Sequence, residues 1–233
     1  MGKAFDVTMI WENLPKLLSY LHITLFIVIA SLLFGIAVGL IIAVPRLYKV
    51  PVLSQIGAVY VSFVRGTPIL IKLFLVYYGL PELLKPIGID LSRVNPIVFV
   101  IITYSLSSGA FISENMRASV NSVDRGQTEA AYSVGLTSGQ TFFRIVVPQA
   151  LKVAFPNFAN TFIGYLKDTS LAFSIGVMDM MGRGEAIIGA TAHFLEVYIS
   201  LSIIYYVTVI GLEKLFAVSE RRLQRHERRL AAR

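Results

Sequence analysis

The sequence predicts an all-α integral membrane protein with five spans. Three observations point there. Of the 233 residues, 55% are hydrophobic and only 15% charged, with a mean hydropathy of +0.70, whereas a soluble domain carries about 25% charged residues. The apolar residues gather in stretches of bilayer length, about 20 residues each. The basic residues collect in the segments between alternate stretches.

The first 19 residues form a segment of their own. Asp6, Glu12 and Pro15 interrupt it, so it lacks the short apolar core and small-residue cleavage site of a secretory signal. Asp6, Trp11 and Glu12 suit a short helix lying at the membrane interface. The spanning region is expected over 20–217, followed by a basic tail, 218–233.

The first span runs from about Leu17 to Val44 and ends at Pro45, Arg46, Lys49 and Pro51. The second, about Val52 to Leu80, is broken by Arg65, Gly66, Thr67 and Pro68. Thr67 is a suitable N-cap and Pro68 a suitable first helical residue, so a new helix is expected there. Broken helices are tolerated at membrane depth only where protein or a water-filled cavity surrounds the loose backbone. The third span, about Ile97 to Ala118, opens with Asn95 and Pro96. Ser105, Ser108, Gly109 and Ser113 give it a small-residue face suited to close packing, and Glu114 and Arg117 are spaced to pair at its end.

The fourth span, about Val153 to Val177, carries Asn157, Asn160, Thr161, Gly164 and Asp168 at helical spacing, a stripe too polar to face lipid. The fifth is about Glu196 to Phe216. Five spans put the two ends on opposite sides. With the C-terminus in the cytoplasm, the inner segments hold 13 lysines and arginines against 5 outside, which commits the N-terminus to the outside.

The polar stretch Asp124–Ala150 is then cytoplasmic. It reads as two short helices. Gln127–Val134 is the first, with Gly135 placed for a left-handed C-terminal cap. Thr137 caps the second, with Gln140 three residues on as in a capping box. Small Ala130 and Ala131 would let another protein approach the helix backbone.

An aspartate near a helix centre costs roughly 2.5–3.5 kcal/mol on insertion scales. Asp168 therefore either pairs with Lys167 or Arg65 to hold helices together, or lines a path and meets the cationic group of a solute. Lys72 either faces the same solute or snorkels to the interface. Arg65 is expected to anchor the break, and Tyr77 and Tyr78 to sit in an aromatic belt. Glu129 suits the N-terminus of its own helix and could also take a partner's arginine.

The absences matter as much. There is no G-x-x-x-x-G-K-[ST] phosphate loop, no HExxH, no GxSxG and no cysteine, so no catalytic residue, metal site or cofactor is expected. The basic tail has no interleaved aromatics, which favours a membrane surface over nucleic acid.

Glu129-Ala130-Ala131, Gly135 four residues later, and the apolar run Ile145-Val146-Val147-Pro148 resemble the signature of the membrane subunits of ABC importers. Arg65–Pro68 followed by Leu73–Pro81, the run from Ser108 to Arg117, and Lys167–Leu171 resemble the polar amino acid branch, which includes histidine, glutamine and cystine importers. The resemblance covers about Tyr20 to Ala217. It implies the type I importer permease fold in a bacterial plasma membrane. It also implies that Glu129, Ala130, Ala131 and Gly135 form a coupling helix docking into a separate cytoplasmic ABC ATPase dimer. A second permease subunit, identical or related, would pair with this one, and an extracytoplasmic solute-binding protein would deliver an amino acid, cystine before other polar amino acids. The substrate path would take in Asp168, Asn160, Thr161, Gly164, Ser170 and Lys72. The competing function is an ion-coupled secondary amino acid transporter using Asp168; such carriers usually show paired repeats with two broken segments, and one break is visible. A membrane scaffold with no path would leave the polar stripe unexplained.

Overall fold

The computed structural model describes residues 4–223, and they form helices and turns with no strand among them. Helix α1, Val7–Leu18, starts where the Asp6 carboxylate accepts the Thr8 amide. It packs on the helices at the far end of the chain: the Asp6 amide donates to Glu196 Oε1 at 2.9 Å, and the Ser200 hydroxyl donates to the Ile10 carbonyl at 3.1 Å. Leu17 is wholly buried there. The predicted short helix is thus present, and it is fastened to the body of the protein.

Helix α2, Leu21–Leu47, runs three residues past the predicted end, through Pro45. A proline this close to a C-terminus disturbs only the final turn. Helix α3, Leu53–Gly66, then meets α4, Ile69–Phe74, at a bend of 112°. A π-helical turn, Leu75–Gly79, carries α4 into α5, Leu80–Leu84. The break falls where predicted, but its caps differ. Thr67 does not cap the new helix. The following proline pushes Thr67 into extended backbone, at φ −109° and ψ 132°, and its hydroxyl donates back to the Phe63 carbonyl at 2.8 Å. Pro68 is the cap, and α4 begins at Ile69.

Helix α6, Pro96–Asn121, is capped by Asn95, whose side chain accepts the Ile97 amide. Its small-residue face packs along α2. A Cβ on Gly39 would stand 2.9 Å from Ile112 Cγ2, one on Gly109 would stand 2.5 Å from Val38 Cγ1, and one on Gly35 would collide with the Ser108 hydroxyl. Close approach of two backbones over small residues is how apolar helices gain packing energy where lipid offers no hydrophobic drive.

The next stretch folds as the two-helix knuckle that its sequence predicts. Helix α7, Arg125–Ser133, is followed by Gly135 at φ +83°, and α8, Ser138–Thr141, has the full Thr137–Gln140 capping box. A π-helical turn, Phe142–Val146, joins α8 to α9, Val147–Asp168. A 3₁₀ turn over Thr169–Ile175 leads towards α10, Met180–Thr191, and α11, Phe194–Leu223. Helix α11 continues past the predicted end of its span into the basic tail, whose remainder, with Arg225, Arg228 and Arg229, lies outside the described residues.

By length and apolarity, α2, α6 and α11 can each cross a membrane, and the bent pair makes a fourth crossing if taken as one. The remaining predicted span falls on α9 and the 3₁₀ turn, where the polar stripe makes the helix too polar to qualify by that measure alone.

Replacing Gly35 by Leu should overpack the α2–α6 contact, at a cost of about 1–3 kcal/mol or more. A thermal melt in detergent should show a clear drop in Tm, while Gly189→Ala, with open space around it, should melt as wild type.

Candidate functional site

Helix α9 lies antiparallel to α6, and hydrogen bonds set its register. The Tyr104 hydroxyl donates to the Asp168 carbonyl at 2.6 Å. Eleven residues along, Asn115 Nδ2 donates to the Ala154 carbonyl at 2.9 Å, and Asn157 Nδ2 donates to Asn115 Oδ1 at 3.2 Å. With this register the polar stripe of α9 faces inward. Asn157, Asn160, Thr161, Gly164 and Asp168 all line one cavity of about 670 Å³, within the size range of small-molecule sites.

The opposite wall is the broken helix, which contributes Val64, Arg65, Thr67, Ile69 and Lys72; α6 supplies Phe111, Glu114, Asn115 and Ala118. The predicted break and the predicted stripe therefore meet. Ser170 stays outside this lining. The chain tightens to a 3₁₀ turn after Asp168, and the Ser170 hydroxyl bonds the Lys167 carbonyl at 2.7 Å. Gly66 borders a smaller adjoining cavity with Arg46, Arg65 and Glu114.

The charged groups play unequal roles. Lys72 is buried, and its Nζ donates to the Val64 carbonyl at 2.8 Å. It neither snorkels nor points freely at the cavity: it ties α4 to the last turn of α3. Glu114 is held by Arg46 at 2.9 Å and by Arg117, so the predicted Glu114–Arg117 pair is present with a third member from α2. Arg65 places its guanidinium 5.7 Å from the centre of the Phe111 ring. Asp168 and Arg65 have no ion-pair partner within 4 Å among the described residues, while Lys167 and Lys72 act on Asp168 electrostatically from further away.

Phe111, Glu114 and Asn115 are cavity residues that sequence reasoning did not assign. Asn115 carried a usable signal, because an amide inside an apolar helix seldom faces lipid. No cluster of three or more potential metal ligands occurs among the described residues.

The knuckle is a separate surface. Glu129, Ala130 and Gly135 are exposed, while Ala131 is buried. Tyr132, Val134 and Phe143 beside them are also exposed, at 50%, 76% and 72%. Large apolar side chains left open on a polar segment mark a contact surface.

Comparison with known proteins adds to this geometry. A family model described as a binding-protein-dependent transport system inner membrane component matches residues 35–225. The L-cystine transport system permease protein TcyL of Bacillus subtilis is 53% identical over 230 residues, covering 99% of this chain and 96% of that protein. The glutamine transport system permease protein GlnP of Escherichia coli K12 is 30% identical over 220 residues, covering 94% of this chain and 98% of its own. The crystal structure of an amino acid ABC transporter with histidines superposes with a TM-score of 0.84 at 29% identity, over 94% of this chain and 100% of that one.

Lys72→Met should leave the Val64 carbonyl buried without its donor, a loss of about 1–3 kcal/mol. A lower Tm of the purified protein would show it, and Lys72→Arg should recover most of the loss by keeping a donor at the bend.

Proposed function

The chain belongs to the family of binding-protein-dependent transport system inner membrane components, and from that membership we propose that it is the permease subunit of an ATP-driven amino acid importer whose solute is cystine. It is a multi-pass protein of the bacterial plasma membrane. In this reading it crosses five times, over 20–217, with α9 as the fourth span, the N-terminal segment 1–19 at the outer interface, and the C-terminal tail 218–233 in the cytoplasm. An extracytoplasmic binding protein hands over the solute, a second permease subunit completes the path, and an ABC ATPase dimer docks on the knuckle.

The observation that carries the reading is the cavity between the break and the stripe. Its lining holds a carboxylate, Asp168, and a guanidinium, Arg65, neither with an ion-pair partner within 4 Å among the described residues, beside neutral amides. That set suits a zwitterion, with Asp168 meeting an α-ammonium. Asn160, Thr161 and Gly164 continue the wall, and Lys72 keeps the break bent. The identity to TcyL over nearly the whole chain supports cystine.

The chain has no phosphate loop of its own, so energy must arrive through a contact. Glu129, Ala130 and Gly135, with exposed Tyr132, Val134 and Phe143, form the surface for it. Only one bent pair occurs among the described residues, where an ion-coupled carrier would be expected to show two.

In vesicles reconstituted with the ATPase and binding protein, Glu129→Lys should abolish ATP-driven cystine uptake and weaken recovery of the ATPase with the permease. Uptake and recovery at wild-type levels would remove the docking role. Asp168→Asn should lower uptake about tenfold or more, equivalent to roughly 1.4 kcal/mol of lost binding, with the complex still assembled. Unchanged uptake would make Asp168 structural.

A further inference from the structure

The broken helix has open space on both of its sides. On one side is the polar cavity of about 670 Å³. On the other is an apolar cleft of about 180 Å³, lined by Tyr60 and Phe63 of α3, Leu75 and Val76 of the π turn, and Leu106 and Ser107 of α6. Val64 and Lys72 border both spaces. The hydrogen bond that ties α4 to the last turn of α3 therefore runs between them.

Packed elements seldom have such freedom, because protein interiors are filled to crystal-like density. Helix α6 has none on its α2 side, where Gly39 and Gly109 leave no room for a methyl group. The break differs along its length. On α3 it is fixed: the Tyr60 hydroxyl donates to the Leu106 carbonyl at 2.5 Å. Beyond the bend, α4 runs into the π turn Leu75–Gly79, none of whose residues is buried. The facing surfaces of the cleft at Leu75, Val76 and Leu106 are apolar. Bringing them together gains packing contacts, a main source of attraction between helices in lipid.

We propose that the cleft is the space into which the broken helix moves during transport. Helix α4 and the π turn swing about the Tyr60–Leu106 tie and close onto α6, and the polar cavity on the opposite side widens. Lys72, bonded to Val64, keeps α4 joined to α3 through the movement. This rests on the permease reading above and gives a mechanical role to residues that line only the apolar side of the break.

The test uses the assembled complex of permease and ATPase. The chain has no cysteine, so Leu75→Cys with Leu106→Cys places two spin labels on exposed rims of the cleft. Dipolar broadening between them should increase when a hydrolysis-deficient ATPase holds ATP, compared with the nucleotide-free complex. Ser107→Leu, which fills the cleft, should lower ATP-driven uptake of labelled L-cystine about tenfold while the ATPase is still recovered with the permease, and Ser107→Ala should transport as wild type. Broadening that ATP leaves unchanged, or full uptake by Ser107→Leu, would overturn the moving cleft while leaving the permease reading intact. Failure of the wild-type importer to take up any amino acid would overturn both.

Discussion

A helix that stops in apolar surroundings must find donors for its last carbonyls, and the rest of this protein depends on how that demand is met between α3 and α4. The turn at Thr67–Pro68 bends the chain by 112°. Two side chains supply the missing donors: the Thr67 hydroxyl to Phe63, and the Lys72 amine to Val64. The long, flexible Lys72 side chain reaches back eight residues across the bend to do so. With these two carbonyls satisfied, the break can stand open on one side, and that side is the cavity wall. Arg65 is left at the corner, free of an acidic partner among the described residues and propped on Phe111.

The bend would be of little use without a rigid surface behind it. That surface is the α2–α6 pair, which is packed so closely that Gly35, Gly39 and Gly109 have no room for a methyl group. The Arg46–Glu114–Arg117 cluster joins the C-terminal ends of the same two helices. In a low-dielectric setting, removing one member of such a cluster leaves an uncompensated charge, which is why buried pairs are costly to break. The close packing and the charge cluster hold α6 as a fixed rail. The break sits on one side of it and the stripe of α9 on the other.

The parts legible in the sequence were those with local causes. The Thr137–Gln140 box and the left-handed Gly135 follow from short-range chemistry and appear as predicted. The polar stripe follows from helical periodicity, and all five of its residues reach the cavity. Lys72 could not be placed, because a bond across a bend depends on an angle that spacing does not encode. The partner face of α6 was missed for a related reason. Gly35 and Gly39 read as ordinary members of an apolar run until a second helix lies against them. Ser170 was placed in the substrate path by the resemblance, and the change of helical pitch after Asp168 leaves it off the cavity wall.

Continuity of backbone now links the two functional surfaces of the proposed transporter. From Ser138 to Asp168 the chain is one helical run, α8 passing through a π turn into α9. At 1.5 Å per residue it is about 45 Å long, with the docking knuckle at one end and the cavity carboxylate at the other. In that reading, a push on the knuckle would be carried along this run towards the stripe. The π turn, Phe142–Val146, lies between them, and such turns are common where a helix must adjust at a functional site. Because α6 is held by its glycine contacts and its charge cluster, movement of the rod would be taken up against the broken helix. The break would then be the compliant element and α6 the fixed one, with the solute held between them.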